Sequence, residues 1–201
     1  MRIEKEVIHT IEIDRSRFIT YLNRCFNEEE AREYIASVKK LHPEANHHCT
    51  AFICNQNMTQ RTNDDGEPSK TAGKPMLDIL LKNDMEDICA VVVRYFGGIK
   101  LGAGGLIRAY GKSVNEALSV SSKVLPTKMN LYELTFGYEY IDKLEYLLKD
   151  TTILHKDYDE IVSFQFITNH PELLIEIQEI TKGQYIPTFI DIIEIEQPIL
   201  L

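Results

Sequence analysis

"AVVVRYFGGIKLGAGGLIRAYGK", residues 90–112, reads as a strand, a glycine-rich turn and the start of a helix in direct succession. The β-branched run of "DICAVVVRYF" (87–96) shows no polar alternation, which predicts a central strand covered on both faces. Residues 94–112 hold six of the chain's ten glycines. From about Leu106 to Val120 a helical period returns. Leu106, Tyr110, Ala117 and Leu118 fall on the core side, while Arg108, Lys112, Asn115 and Ser119 share the opposite face.

A strand that passes through glycines into a helix start offers free backbone N–H groups and the positive dipole end to an anion. The nucleotide motifs are missing, however. There is no G-x-x-x-x-G-K-[ST], and G-x-G-x-x-G read from Gly102 would need glycine where Ile107 stands. The plain alternatives are a solvated helix face and glycines that serve strand-to-helix packing.

Upstream, Val7, Ile11 and Ile13 alternate and "RFITYL" follows, predicting two antiparallel strands. Asn27 caps a helix whose apolar stripe is Ala31, Tyr34, Ile35, Val38 and Leu41, with Glu30 placed for a capping box. "HHCTAFICN" is a third strand. "MTQRTNDDGEPSKTAGKP" (58–75) is a long polar loop of the kind that is functional or disordered, and a short helix follows from about Met76 to Leu81. Asp64, Asp65 and Glu67 could hold a hard cation or act as acid and base, but "DDGEP" is also what a tight turn looks like. Arg94, in a buried strand, needs a charge partner that this loop could supply.

Downstream the periods break at "SSKVLPTKMN" (121–130), where we place a domain boundary: 1–125 and 126–201. The second part reads strand ("LYELTFGY"), helix ("IDKLEYLLKD"), hairpin ("TTILHKDY" and "IVSFQFIT"), helix ("PELLIEIQEI", Pro171 in its first turn) and strand ("YIPTFIDIIEIE"). The order β-α-β-β-α-β is the split βαβ, ferredoxin-like plan. The fold class is therefore α+β in two domains.

Composition sets limits. With 44% hydrophobic and 26% charged residues the 201-residue chain is globular. Neither a secretory leader nor an apolar run of membrane-span length stands out, so a cytoplasmic protein is expected. The net charge of −9 falls in the last third. Residues 1–125 carry 17 basic against 17 acidic side chains, and 126–201 carry 5 against 14. Residues 92–125 hold five basic side chains against Glu116 alone, a local patch that acts within a Debye length of about 10 Å. His47, His48, Cys49 and Cys54 alternate in pairs across a strand, which spoils a four-ligand metal site. No H-e-x-x-H-type or G-x-S-x-G motif is present, and no catalytic residue, metal or cofactor is nominated.

"DDGEPSKTAGKPML" followed by "AVVVRYFGGIKLGAGGLIRAY" resembles the Impact family, in its bacterial YigZ branch. The resemblance implies a first domain of the ribosomal protein S5 second-domain type and a second, ferredoxin-like domain similar to those of elongation factor G. It maps onto Asp64, Asp65, Gly66, Glu67, Pro68, Thr71, Ala72, Gly73 and Pro75, and onto Arg94, Tyr95, Phe96, Gly97, Gly98, Leu101, Gly102 and Arg108. Lys70 departs from it, standing where the family usually has glycine. Eukaryotic Impact proteins restrain the kinase that halts translation initiation on amino-acid starvation, so the resemblance implies a translation-linked regulator.

The expectation is a non-catalytic module that binds RNA, the ribosome or a translation-associated protein. Its anion-binding surface would comprise Lys70, Lys74, Arg94, Gly97, Gly98, Lys100, Gly102, Gly104, Gly105, Arg108 and Lys112. One alternative is an enzyme acting on a nucleotide or phosphorylated substrate at the glycine-rich loop. Another is a protein-interaction module working through the acidic C-terminal domain.

Overall fold

A computed structural model describes residues 1–55 and 57–199. The chain forms two compact units, one of residues 1–125 rejoined by the chain end from Pro198, the other Pro126–Gln197. The chain end returns to the first unit through Ile199, whose N–H donates to Lys123 O at 3.1 Å.

In the first unit the antiparallel sheet runs β2 (Val7–Ile13), β3 (Ser16–Arg24), β6 (Ile88–Tyr95), β4 (His47–Cys54), β5 (Thr59–Asn63). A short β1 (Arg2–Ile3) precedes it. Strand β6 is central, and its side chains divide by parity. Ile88, Ala90 and Val92 enter a core with Met76, Leu80, Tyr110 and Val114, while Cys89, Val91 and Val93 enter a second core with Ala31 and Val38. Helices therefore cover both faces: α1 (Glu28–Leu41) one side, α2 (Gly73–Lys82) and α3 (Gly102–Ser119) the other. That is why the β6 sequence lacks polar alternation. Strand β4 obeys the same parity, with Cys49 in the first core and Cys54 in the second.

Asn27 caps α1 by accepting the Glu30 N–H at 2.9 Å, and Glu30 Oε2 accepts the Phe26 N–H at 2.7 Å. Asn27→Ala should lower stability by about 1 kcal/mol in urea denaturation. A loss under a few tenths would mean that water replaces the cap.

In the second unit β7 (Lys123–Phe136), α4 (Ile141–Leu147), β8 (Thr152–Tyr158), β9 (Val162–Thr168), α5 (Pro171–Ile180) and β10 (Thr188–Pro198) follow in that order. Strands pair in the order β10-β7-β9-β8. Leu134, Phe136, Phe164 and Phe166 from the sheet bury against Leu144, Leu148 and Ile177, so both helices share one face.

Strand β7 begins at Lys123, within "SSKVLPTKMN". Three element readings need correction. The polar loop opens with β5, an exposed edge strand whose polar sequence gives no apolar period. Helix α3 starts at Gly102 rather than Leu106, and α2 at Gly73 rather than Met76; each glycine lowers helix propensity by roughly 1 kcal/mol, which hides both starts from the sequence pattern. Among the described residues no helix is long and apolar enough to cross a membrane.

Candidate functional site

The loop 64–72 is built by its two aspartates, which point into different parts of the fold. Asp64 accepts the N–H groups of Lys70 (2.7 Å), Ala72 (3.1 Å) and Gly73 (2.8 Å), closing the loop and satisfying the start of α2. Asp65 accepts the His48 N–H at 2.7 Å and the Lys39 ammonium at 3.0 Å. Burial alone would raise its pKa, but the His48 N–H and Lys39 outweigh it and hold the carboxyl below the usual carboxylate range. Both carboxylates are occupied as acceptors, which fits the turn reading and leaves little for a cation. Among the described residues no cluster of three His, Cys, Asp or Glu side chains suits a metal. Lys70 adopts a left-handed backbone, φ +63°, the conformation glycine takes most easily, and its N–H bond to Asp64 holds it there.

Glu67 turns inward. Its Oε1 accepts from Arg94 Nη1 at 2.6 Å and from the Tyr110 hydroxyl at 2.8 Å, with His47 Nε2 at 3.8 Å. Arg94 also donates from Nη2 to Ser16 Oγ at 3.3 Å and lies against the rings of Phe18 and Phe96. The loop thus supplies the charge partner that the buried arginine required. Glu67 and Arg94 are 9% and 5% exposed, so neither belongs to the surface. Behind them Cys49 Sγ sits 3.3 Å from the Tyr110 hydroxyl, and burial pushes its thiol up to about 12 and the Tyr110 phenol above its ordinary value. Neither group is an activated nucleophile.

This cluster adjoins a pocket of about 220 Å³. Pro68, Phe96, Leu101 and Leu106 give it apolar walls, the buried Glu67 and Arg94 line it, and the exposed Lys100, Gly102 and Ala103 complete it at the start of α3. No side chain caps α3 and no acid stands in its first turn. Beside it a cleft of about 320 Å³ is lined by Asp14, Gly105, Arg108 and Lys112. A larger cleft of about 420 Å³ lies over Arg32, Lys39 and Arg61, but each of those cations already pairs with Glu28 or Asp65.

The structure sorts the sequence candidates into groups. Lys100, Arg108 and Lys112 are exposed along the start and outer face of α3, with Gly102 and Gly104 exposed beside them. Lys112 makes a 3.6 Å contact with Glu116. Lys70 is exposed, Lys74 is exposed but paired with Asp78 at 2.5 Å, and Arg94 is interior. Gly98 is exposed, whereas Gly97 packs on the Arg15–Ser16 backbone and Gly105 against Leu101. Of the motif loop, Gly66 (φ +90°) and Pro68 are exposed, and Thr71 and Gly73 are buried. Sequence reading passed over Phe96 as a pocket wall and Tyr110 as a ligand of Glu67. An aromatic directly after a buried strand and before two glycines was the available signal for the first; Tyr110 looked like an ordinary core residue.

The Impact N-terminal domain model matches residues 14–118, more than half of the chain. The chain belongs to the Impact family. It is 47% identical over 167 residues to the IMPACT family member YvyE of Bacillus subtilis, covering 82% of this chain and 77% of that one. Identity to YigZ of Escherichia coli is 42% over 156 residues, 75% of this chain and 76% of the relative. A crystal structure described as a hypothetical protein shares 35% identity at a TM-score of 0.58 and covers 94% of this Impact chain and 96% of its own.

Proposed function

We propose that this Impact-family chain is a non-catalytic, translation-linked regulatory module that binds RNA, as such or on the ribosome, through the α3 surface. The observation that carries this reading is the open start of α3: an uncapped helix of 18 residues with exposed glycine backbone, preceded by Lys100 and carrying Arg108 and Lys112 on its accessible side. Backbone N–H groups and three exposed cations in one place, Lys112 among them in 3.6 Å contact with Glu116, suit a row of phosphates. The acidic residues of 126–201 would keep a polyanion on the first unit.

We read the first unit as the ribosomal protein S5 second-domain type, and the second as ferredoxin-like, similar to domains of elongation factor G. The strand order β10-β7-β9-β8 with both helices on one face supports the latter. Such folds also occur in enzymes, so the function rests on the surface and not on the fold.

The test is RNA affinity across a salt series between about 50 and 200 mM. The wild-type log–log slope is expected to be negative, and Arg108→Ala and Lys112→Ala should each weaken binding and flatten the slope by about one. Binding that is absent or indifferent to salt contradicts the proposal.

A further inference from the structure

The pocket at the start of α3 is lined by two buried polar side chains that keep some hydrogen-bonding capacity to spare. Arg94 Nε has no partner. Glu67 makes all its bonds through Oε1, and its Oε2 receives none. Both side chains are more than nine-tenths buried and both line the pocket. Buried polar groups are satisfied in the great majority of cases, so the open Arg94 donor, in a pocket that also holds a carboxylate oxygen with free acceptor capacity, calls for a ligand. A second anion is a poor candidate next to Glu67. A neutral group carrying its own donor and acceptor is a good one.

The walls narrow the choice. Phe96 is 46% exposed as a residue, with the Arg94 guanidinium 5.6 Å from its ring centroid. The Phe96 N–H is fixed by Asn46 Oδ1 at 2.8 Å, so the ring projects from an anchored backbone. At about 220 Å³ the pocket is smaller than the roughly 300 Å³ of sites for drug-sized ligands, so it takes one planar ring system and not a whole cofactor. The anion site lies beside it, in the uncapped α3 start and Lys100.

We propose that this pocket receives a single unpaired nucleobase of an RNA strand. The base stacks on Phe96, its Watson–Crick edge donates to Glu67 Oε2 and accepts from Arg94 Nε, and its phosphate meets Lys100 and the first N–H groups of α3. Such an edge offers a donor and an acceptor side by side, and unstacked bases are read in this way on aromatic side chains. The inference rests on the RNA reading above and adds that the strand must be single at this point.

The experiment measures binding of the full chain to a single-stranded RNA and to the same sequence as a duplex, at several salt concentrations. Phe96→Leu, which keeps apolar bulk without a π face, should bind the single strand roughly 5- to 100-fold more weakly, with the salt slope unchanged. Phe96→Tyr should bind like the wild type, and duplex binding should not depend on residue 96. Circular dichroism of each variant establishes that it is folded, as expected at an exposed position. Single-strand binding by Phe96→Leu within twofold of wild type overturns the base pocket and leaves the RNA surface standing. Equal dependence on Phe96 in the duplex overturns the claim of an unpaired base. Failure of the wild type to bind any RNA overturns both.

Discussion

Glu67→Ala should cost the first unit about 3–5 kcal/mol, measured by urea denaturation, enough to unfold much of the population at ordinary temperature. The reason is what the substitution leaves behind. Arg94 would keep its buried charge with only Ser16 Oγ and the rings of Phe18 and Phe96 around it. The Tyr110 hydroxyl, in the wild type 2.8 Å from Glu67 Oε1, would lose that acceptor inside the core. Glu67→Gln keeps an amide oxygen in the same place and removes the charge, so a smaller loss of about 1.5–3 kcal/mol is expected. Replacing both partners, Glu67→Met with Arg94→Met, should recover most of the loss, because paired apolar side chains often match a buried ion pair. A single-variant loss below about 1 kcal/mol would show that Arg94 is solvated or finds another partner. The double variant would also separate stability from binding, since it removes the two buried polar groups that line the pocket while leaving Phe96 and Lys100 in place.

This pair illustrates what the sequence discloses and what it conceals. Arg94 interrupts an apolar β-branched run, so its burial and its need for a carboxylate are visible in one dimension, and the acidic loop is an obvious source. Which carboxylate answers is not visible. Asp64, Asp65 and Glu67 look alike in sequence, and only the loop's closure sends Asp64 to the α2 start, Asp65 to β4 and Glu67 inward. The unbroken apolar run exposed β6, which is buried on both faces, and periodicity exposed α1 and strand β9, which bury one face each. Periodicity failed at β5, which is a polar edge, and at the glycine-led starts of α2 and α3, where glycine's low helix propensity and lack of a side chain leave no apolar period to read. The basic face of α3, Arg108 and Lys112, was legible from i, i+4 spacing, but the pocket that Pro68 and Phe96 build beside Lys100 was not, since it depends on what the loop brings over the strand end.

Gly97→Ala should be the most damaging substitution among the exposed-looking glycines, with a loss of about 3 kcal/mol in urea denaturation, at the upper end of ordinary overpacking costs. A Cβ at position 97 would lie 2.0 Å from the carbonyl carbon and oxygen of Arg15 and 2.5 Å from Ser16 N. These are backbone atoms of the tight turn between β2 and β3. Asp14 and Arg15 both have positive φ, 46° and 63°, and the pairing of Ile13 with Ser16 makes this a two-residue hairpin held by full register along both strands. The turn cannot yield cheaply, so the strand end must, and the Gly97 N–H would lose Ser16 Oγ at 3.2 Å. Ser16 Oγ also receives Arg94, and Phe96 is the next residue back, so the displacement reaches the pocket directly. Gly98 supplies the control. It has φ +85° and open space around it, so Gly98→Ala meets only backbone strain of about 1–2 kcal/mol and leaves the turn untouched. If Gly97→Ala proves no more costly than Gly98→Ala, the close approach of the β2–β3 turn to the end of β6 is wrong. If it is more costly and also weakens RNA binding where Gly98→Ala does not, the turn is what holds Phe96 in its working position.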